Sequence, residues 1–511
     1  MIFSQSVASE PSSLYVSPEI RHVIFGIFGV TPAFNPDYAT VLLFFCINLI
    51  NYMDRFTIAG IPDMIRDFYQ IDSKRLGLLQ TSFVLSYMVL SPIFGYLGDR
   101  WKRKYIMVIG LVIWTLTTLA SSFVPRNNFG LFMVLRCIVG IGEASYSTLA
   151  PTILTDLFSG NARTSILGFF YFAVPVGSGL GFVLGSVIAN ATHNWTWALR
   201  ITPTLGVFCT LALIAFHKDP PRGRADGAIH LRATSWWVDL RSLSSNWCFL
   251  LVSLGFTGDC FVLGALAWFS VDYIQDAINA RGYGDASKYP VALLFGISTC
   301  FAGLLGVVVG TALARALRVY ITRIDAYICG AGLLMSAPFV FAGLVSPIYS
   351  FYLCLGFVFV GQFLICLNWA LISDVTMSVV IPTRRATANA FQMLMSHALG
   401  DAISPFIIGL IADTQMTSNE VTSRYLGMQR ALLMNVFVCI IAGFLFLCSS
   451  WFLESAKARV QFIVEASQVN QFDVRETEVE AESQPLLRSD DLGTVRTQSW
   501  HSFARTDLAL T

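Results

Sequence analysis

Charge is what this chain of 511 residues has little of. Asp, Glu, Lys and Arg make up 13% of it, where an ordinary soluble domain carries roughly a quarter. Apolar residues make up 55%, an excess too large for a water-soluble core, so a soluble globular fold is excluded. The formal net charge of +1 leaves no overall field to attract nucleic acid or another polyanion. Paired loop cysteines are missing too. Most of the 11 cysteines, among them Cys46, Cys137, Cys209, Cys300, Cys366 and Cys448, lie inside apolar runs. They read as small hydrophobes, with no disulfide framework and no CxxC metal site. No GxSxG with a triad, no HExxH and no GxxxxGK[ST] occurs, so no enzyme activity, metal or cofactor is expected. Residues 1–37 lack a basic segment followed by an apolar one and a cleavage site, and no cleaved signal peptide is expected.

Long apolar runs are what the chain has instead. A helix needs ~20 residues to cross hydrocarbon. Runs of that order lie near 38–60, 76–97, 105–124, 129–152, 165–189, 197–216, 247–275, 290–314, 325–343, 347–372, 385–412 and 427–453. The expected fold is an all-α polytopic membrane protein of 12 transmembrane helices, numbered here as spans 1 to 12. The loops after spans 2, 4, 6, 8 and 10 hold 15 Lys and Arg, the clear majority of the loop total, which places that face and both termini in the cytosol. Two sequons, at Asn190 and Asn194, fall in the 5–6 loop on the opposite side.

The longest loop divides the chain in the middle. Expected units are a cytosolic segment 1–37, a six-helix bundle 38–216, a central cytosolic loop 217–246, a second six-helix bundle 247–453 and a disordered cytosolic tail 454–511. The second part of the central loop, "WWVDLRSLSSNW", suits a short amphipathic helix on the membrane surface. The tail carries 10 Asp and Glu against 6 Lys and Arg, a composition of disordered segments. The bundles echo each other: "GYLGDRWKRK" (95–104) and "GTALARALR" (310–318) align Gly95 with Gly310, Arg100 with Arg315 and Arg103 with Arg318. Repeated six-span units are the build of one large transporter fold.

Polar residues inside the spans carry the chemistry, because a charge at mid-membrane costs roughly 2.5–3.5 kcal/mol on insertion scales. Span 1 reads "INLINYMDRFTIAG" (47–60) and holds Asn51, Asp54 and Arg55. Span 4 holds Arg136 and Glu143, seven apart and so on one helical face. An arginine shared by two carboxylates is tolerable in a common cavity, and a carboxylate that loses its arginine changes its proton affinity. Asp54, Arg136 and Glu143 are therefore candidates for proton coupling, with a static charge network as the other reading. Span 5, "FFYFAVPVGSGLGFVLG", combines Pro175 with four glycines, suited to a hinge or to close helix packing. In the second half Asn368, Ser373 and Asp374 ("CLNWALISD") and His397 and Asp401 ("MLMSHALGDAISP") are candidates for lining a substrate cavity. His397 and Asp401, four apart, equally suit a satisfied buried pair.

"GYLGDRWKRK" resembles the signature between spans 2 and 3 of the major facilitator superfamily, with Lys102 where that signature usually has glycine. It reads as a latch: Gly95 for close approach, Asp99 for an arginine or helix N-terminus of a neighbour, and Arg100 and Arg103 at the headgroups. Together with "LGLLQTSFVLSYMVLSPIFGYLGDR", "RCIVGIGEASYSTLAPTILTDLF" and "IPTRRATANAFQMLMSHALGDAISP", it makes roughly 38–455 resemble the Spinster homologues of that superfamily. The resemblance implies proton-linked export of lysophospholipids or sphingoid-type lipids, with Asp54, Arg136 and Glu143 as the proton-responsive group. "ESQPLL" fits an acidic dileucine signal (Glu482, Leu486, Leu487) readable by a clathrin adaptor, which points to late endosomes or lysosomes. The expected partners are a lipid substrate, protons and the membrane. Two alternatives stay open: a plasma-membrane exporter of a phosphorylated sphingoid base, and a non-transporting scaffold.

Overall fold

The structure is a computed structural model that describes residues 36–483 except 72, 230, 232–234, 281–290 and 417–420. Among the described residues 12 helices are long and apolar enough to cross a membrane. They run Pro36–Ile58, Thr81–Arg100, Arg103–Ser121, Phe129–Leu157, Gly160–Ala189 and Trp195–Phe216 in the first half. In the second half they run Trp247–Ala280, Leu293–Leu317, Ile324–Ile348, Phe351–Ser378, Pro382–Gln415 and Val421–Ala466. Each half packs its own apolar core. One is built around Phe44, Trp114, Tyr146 and Leu149, the other around Phe249, Val262, Leu333 and Phe446. The 12 apolar runs read from the sequence match these helices, because spanning length and hydropathy are local properties.

Spans 1 and 5 lie backbone against backbone. A Cβ on Gly177, Gly181 or Gly185 would stand within 3 Å of the carbonyl oxygens of Leu49, Met53 and Thr57 respectively. The glycines, four apart, meet carbonyls four apart, so one stripe of span 5 seats one stripe of span 1. Close packing is thus a role of this glycine run.

The second half has broken spans. Span 10 is two helices, Phe351–Cys366 and Trp369–Ser378. Span 11 is Arg385–Ser396 and Ser404–Gln415 with a π turn, His397–Asp401, between them. Such turns recur at functional sites. The last helix, Met434–Ser483, continues well past 453, so the part of the expected disordered tail that falls in it is helical. Glu482 lies at its end, whereas Leu486 and Leu487 are outside the described residues. Asn190 lies in the last turn of the helix Gly160–Thr192. Asn194 is exposed and caps the short turn Trp195–Trp197 by accepting from Thr196 N at 3.0 Å.

The central loop is a packed element. It contains a helix, Trp236–Ser244, with Trp237 exposed and Asp239 and Leu243 buried. Lys102 needs no special backbone: it has φ −70° and ψ 110°, an extended conformation open to any residue. That is why lysine stands there without opening the turn.

Candidate functional site

Span 1 places Asp54 and Arg55 next to each other in sequence and about 100° apart around the helix. They therefore serve two different pairs. Asp54, 1% exposed, lies 3.5 Å from Arg136 of span 4. It also accepts hydrogen bonds from Thr202 Oγ1 at 2.7 Å, Trp114 Nε1 at 3.3 Å and Thr118 Oγ1 at 3.5 Å. Arg55 donates to Glu143 at 3.0 Å, and its guanidinium carbon lies 5.0 Å, 4.9 Å and 5.4 Å from the rings of Tyr52, Phe83 and Tyr87. The expectation of one arginine between two carboxylates is corrected here to two arginine–carboxylate pairs, about two turns apart along span 4. Removing either partner of such a pair leaves an uncompensated charge in the membrane.

The Arg55–Glu143 pair lines a small cavity together with Asn48, Asn51, Tyr52, Tyr87 and Tyr171 of the first half and Met393 of span 11. Both amide atoms of Asn51 are buried and lack hydrogen-bond partners, which leaves them open to a ligand. His397 Nδ1 and Asp401 are paired at 2.9 Å, with the imidazole edge-on to Tyr87 at 5.1 Å. The π turn thus brings the pair to the cavity's edge. Ser373 lies beside the lining residue Tyr171. Asn368 is fully buried in the break of span 10, away from this cavity's lining.

Asp374 belongs elsewhere. It accepts from Arg163 Nε at 2.7 Å and Arg318 Nη2 at 2.9 Å, and from Thr164 Oγ1, in an ion-pair layer at the arginine-rich face. Its proposed place in a substrate cavity is corrected: nearly two turns beyond Asn368, it has left the membrane's middle. The layer is built twice. Asp156 of the first half holds Arg103 at 2.5 Å and Arg385 of the second half at 3.5 Å. Asp374 of the second half holds Arg318 of its own half and Arg163 of the first. Burial works against the Arg318 charge, but the carboxylates of Asp374 and Asp325 offset it and raise the guanidinium's pKa above its ordinary value.

The central loop closes this layer. Asp226 reaches Arg385 at 2.5 Å and Arg163 at 3.6 Å, and Asp239 reaches Arg100 and Arg384 at 2.7 Å each. Each acid therefore clasps one arginine from either half. Arg103 is buried against Asp156 and Asp219, so it and Arg100 do not anchor at headgroups. Asp99 takes the second of its expected partners, a helix N-terminus, accepting from Ala386 N at 3.0 Å and Thr387 N at 2.8 Å. Gly95 permits this approach, since a Cβ there would stand 2.7 Å from the Ala386 carbonyl oxygen. The arginine-rich face is closed in this conformation.

Comparison with known proteins places this arrangement. Residues 44–405 match the model of the Major Facilitator Superfamily. The chain is 44% identical to human protein spinster homolog 1 over 451 residues, 86% of this chain and 85% of that protein. The chain belongs to the spinster family. The mouse homolog 1 is 46% identical over 82% of this chain and 81% of its own. Drosophila melanogaster protein spinster is 47% identical over 74% of this chain and 62% of its own. Among solved structures, a bacterial homolog to the human lysosomal transporter Spinster, inward-facing and unoccupied, shares the fold at TM-score 0.59 and 20% identity, covering 83% of this chain and 99% of that one. FucP in the outward conformation does so at TM-score 0.64 and 13% identity, covering 81% and 99%.

In this spinster-family transporter, the ion-pair layer is what a reading of residues alone misses most. Asp156, Arg163, Asp226, Asp239 and Arg385 look like ordinary loop charges. The alignment of Arg103 with Arg318 is the one available trace, and the two arginines do hold equivalent carboxylates. Arg55 is easily underrated because its neighbour Asp54 looks like its natural local partner.

Proposed function

We propose that this spinster-family transporter moves lysophospholipids or sphingoid-type lipids across the endolysosomal membrane, coupled to protons, by alternating access. The observation that carries this reading is the Arg55–Glu143 pair at 3.0 Å in the wall of a tyrosine-lined cavity. A lipid phosphate competes with Glu143 for Arg55, and its ammonium suits Glu143 and the faces of Tyr52 and Tyr87. Protonation of Glu143 likewise releases Arg55. Proton and headgroup thus act on one bond, which is the physical requirement for coupling. Asp54 and Arg136, behind this pair, hold span 1 in register as it responds. A second, small cavity in the other half, lined by Leu266, Ile274, Phe295, Val340, Phe357 and Val358 among others, has the apolar walls an acyl chain needs. The name of the bacterial structural neighbour, which refers to a human lysosomal transporter, and the Glu482–Leu487 pattern support the endolysosomal address and a clathrin adaptor as partner.

The test is uptake of labelled lysophosphatidylcholine by proteoliposomes, with and without an imposed pH gradient, for wild type, Asp54→Asn and Glu143→Gln. Gradient-stimulated uptake that is lost in both variants is expected. Uptake indifferent to gradient and mutation would reduce both pairs to structural supports. No uptake by wild type, with a labelled sphingoid phosphate moved instead at the cell surface, would favour the plasma-membrane exporter.

A further inference from the structure

One buried acid takes no part in the site above. Asp259 sits near the middle of span 7, is 0% exposed and has no hydrogen-bond partner for either carboxylate oxygen. The titratable groups that face it are thiols: Cys329 of span 9, Cys366 of span 10 and Cys439 of span 12, with Cys260 beside it on its own helix. On the span 11 side the nearest carboxylate is Asp401, which faces Cys260 and is paired with His397. No arginine, lysine or histidine among the described residues forms an ion pair with Asp259. Among the described residues the polar group that stands beside it is the Asn368 amide, itself 0% exposed and with neither amide atom hydrogen-bonded. Asn368 stands in the break of span 10, between the helices that end at Cys366 and begin at Trp369.

An ionised carboxylate without counter-ion or donors is not sustained in such surroundings. A metal or sodium ion finds too few oxygens here, since one carboxylate and one amide among thiols and apolar side chains fall well short of the roughly six that a hard cation collects. A proton needs a single acceptor, which Asp259 supplies, and the Asn368 amide, which can both donate and accept, can bond the acid that results. We propose that Asp259 is a second proton-binding site of this transporter, located in the second half and separate from Asp54 and Glu143, with the Asn368 amide as the hydrogen-bond partner of its protonated form. Because Asn368 sits where span 10 is already broken, a shift between the two pieces of that span alters this hydrogen bond directly. Proton occupancy at Asp259 is thereby tied to the second half's conformation, as Glu143 ties it to the first.

The role of this proton in transport rests on the reading given above, but its presence does not, and the experiment separates them. Infrared spectra of the purified protein in nanodiscs at neutral pH report protonated carboxylic acids by their C=O stretch. Wild type is expected to show such a band that Asp259→Asn removes, Glu143→Gln leaves in place and Asp259→Glu retains at a shifted frequency. Asn368→Leu, which removes that hydrogen-bond partner, is expected to move the band toward that of a free acid. The band is expected to be the same in sodium and in choline buffers. Spectra of wild type and Asp259→Asn that agree in this region, or a band erased by sodium, overturn the proposal. If Asp259→Asn does not fold, the shift in Asp259→Glu decides. In proteoliposomes, Asp259→Asn is expected to carry lipid with a lower proton-to-lipid flux ratio. Wild type with the band but no lipid movement would sink the transport reading and leave the proton site standing.

Discussion

The two halves of this transporter share a fold and place span 1 and span 7, their acid-bearing first spans, in opposite surroundings. The first half pairs its charges, Asp54 with Arg136 and Arg55 with Glu143, and sets the second of these pairs in a polar, tyrosine-lined cavity. The second half keeps an unpaired Asp259 deep in its core and opens a cavity with largely apolar walls. Its spans 10 and 11 are broken, whereas the first half's spans 1 and 5 are continuous helices held backbone to backbone. A pair of charges demands rigid positioning, because the attraction offsets desolvation only in good geometry. A neutral acid tolerates movement. The continuous span 1, with its two ion pairs, and the broken span 10, beside the unpaired Asp259, are therefore each matched to the chemistry they carry.

The strongest way to break this comparison is to treat both halves alike. Arg136→Ala leaves Asp54 buried without its counter-ion and is expected to cost about 3–5 kcal/mol, read as a loss of thermal stability in detergent. The double variant Asp54→Asn with Arg136→Gln, which removes both charges, is expected to recover most of that loss. A single Arg136→Ala with wild-type stability would mean that the pairing holds nothing in place.

The rule that a buried titratable group is either paired or neutral has its own test in the first half. His217 is buried against Phe44 and 3.4 Å from Thr40, and burial pushes its pKa down to about 4 from 6.5. Between those values the unfolded chain binds the proton and the folded protein does not. Its contribution is thus complete above pH 6.5 and lost as pH falls toward 4, on the order of 1–3 kcal/mol. Melting curves across that range are expected to fall more steeply for wild type than for His217→Phe. Parallel curves would remove His217 from the comparison.

The smallest effect concerns what joins the halves. Asp226→Asn weakens the contacts of a carboxylate that is partly exposed, at about 1 kcal/mol or less each. It is expected to widen the distance distribution between spin labels at Trp101 and Tyr320, exposed on the two halves' arginine-rich turns. Unchanged distances would mean that Asp156, Asp374, Asp239 and Asp99 close this face without Asp226.

Much of this architecture is open to reading from residues alone. The number of spans follows from local hydropathy, and a spacing of seven sets Arg136 and Glu143 on one face. The pairing is not legible, since two acids and two arginines can be matched in more than one way, and a rotation of about 100° between neighbours decides which. Asp374 is misplaced for a related reason. Asn368, Ser373 and Asp374 lie close together in the chain and read as one site, although a helix carries each further turn about 5.4 Å along the membrane normal. Contacts such as Arg163 with Asp374 and Arg385 with Asp156 join residues more than 200 positions apart, beyond any local pattern. Asp259 is visible as an intramembrane acid, but its isolation is a fact of packing.

The clasp at the arginine-rich face has one more consequence. Asp156, Asp374, Asp226 and Asp239 each hold two arginines, so releasing one arginine leaves its carboxylate still engaged. Fraying one contact at a time gains little, and the face parts as a unit or stays shut. Such a threshold guards against leak: a carrier that has no half-open state gives solutes no path around its cargo.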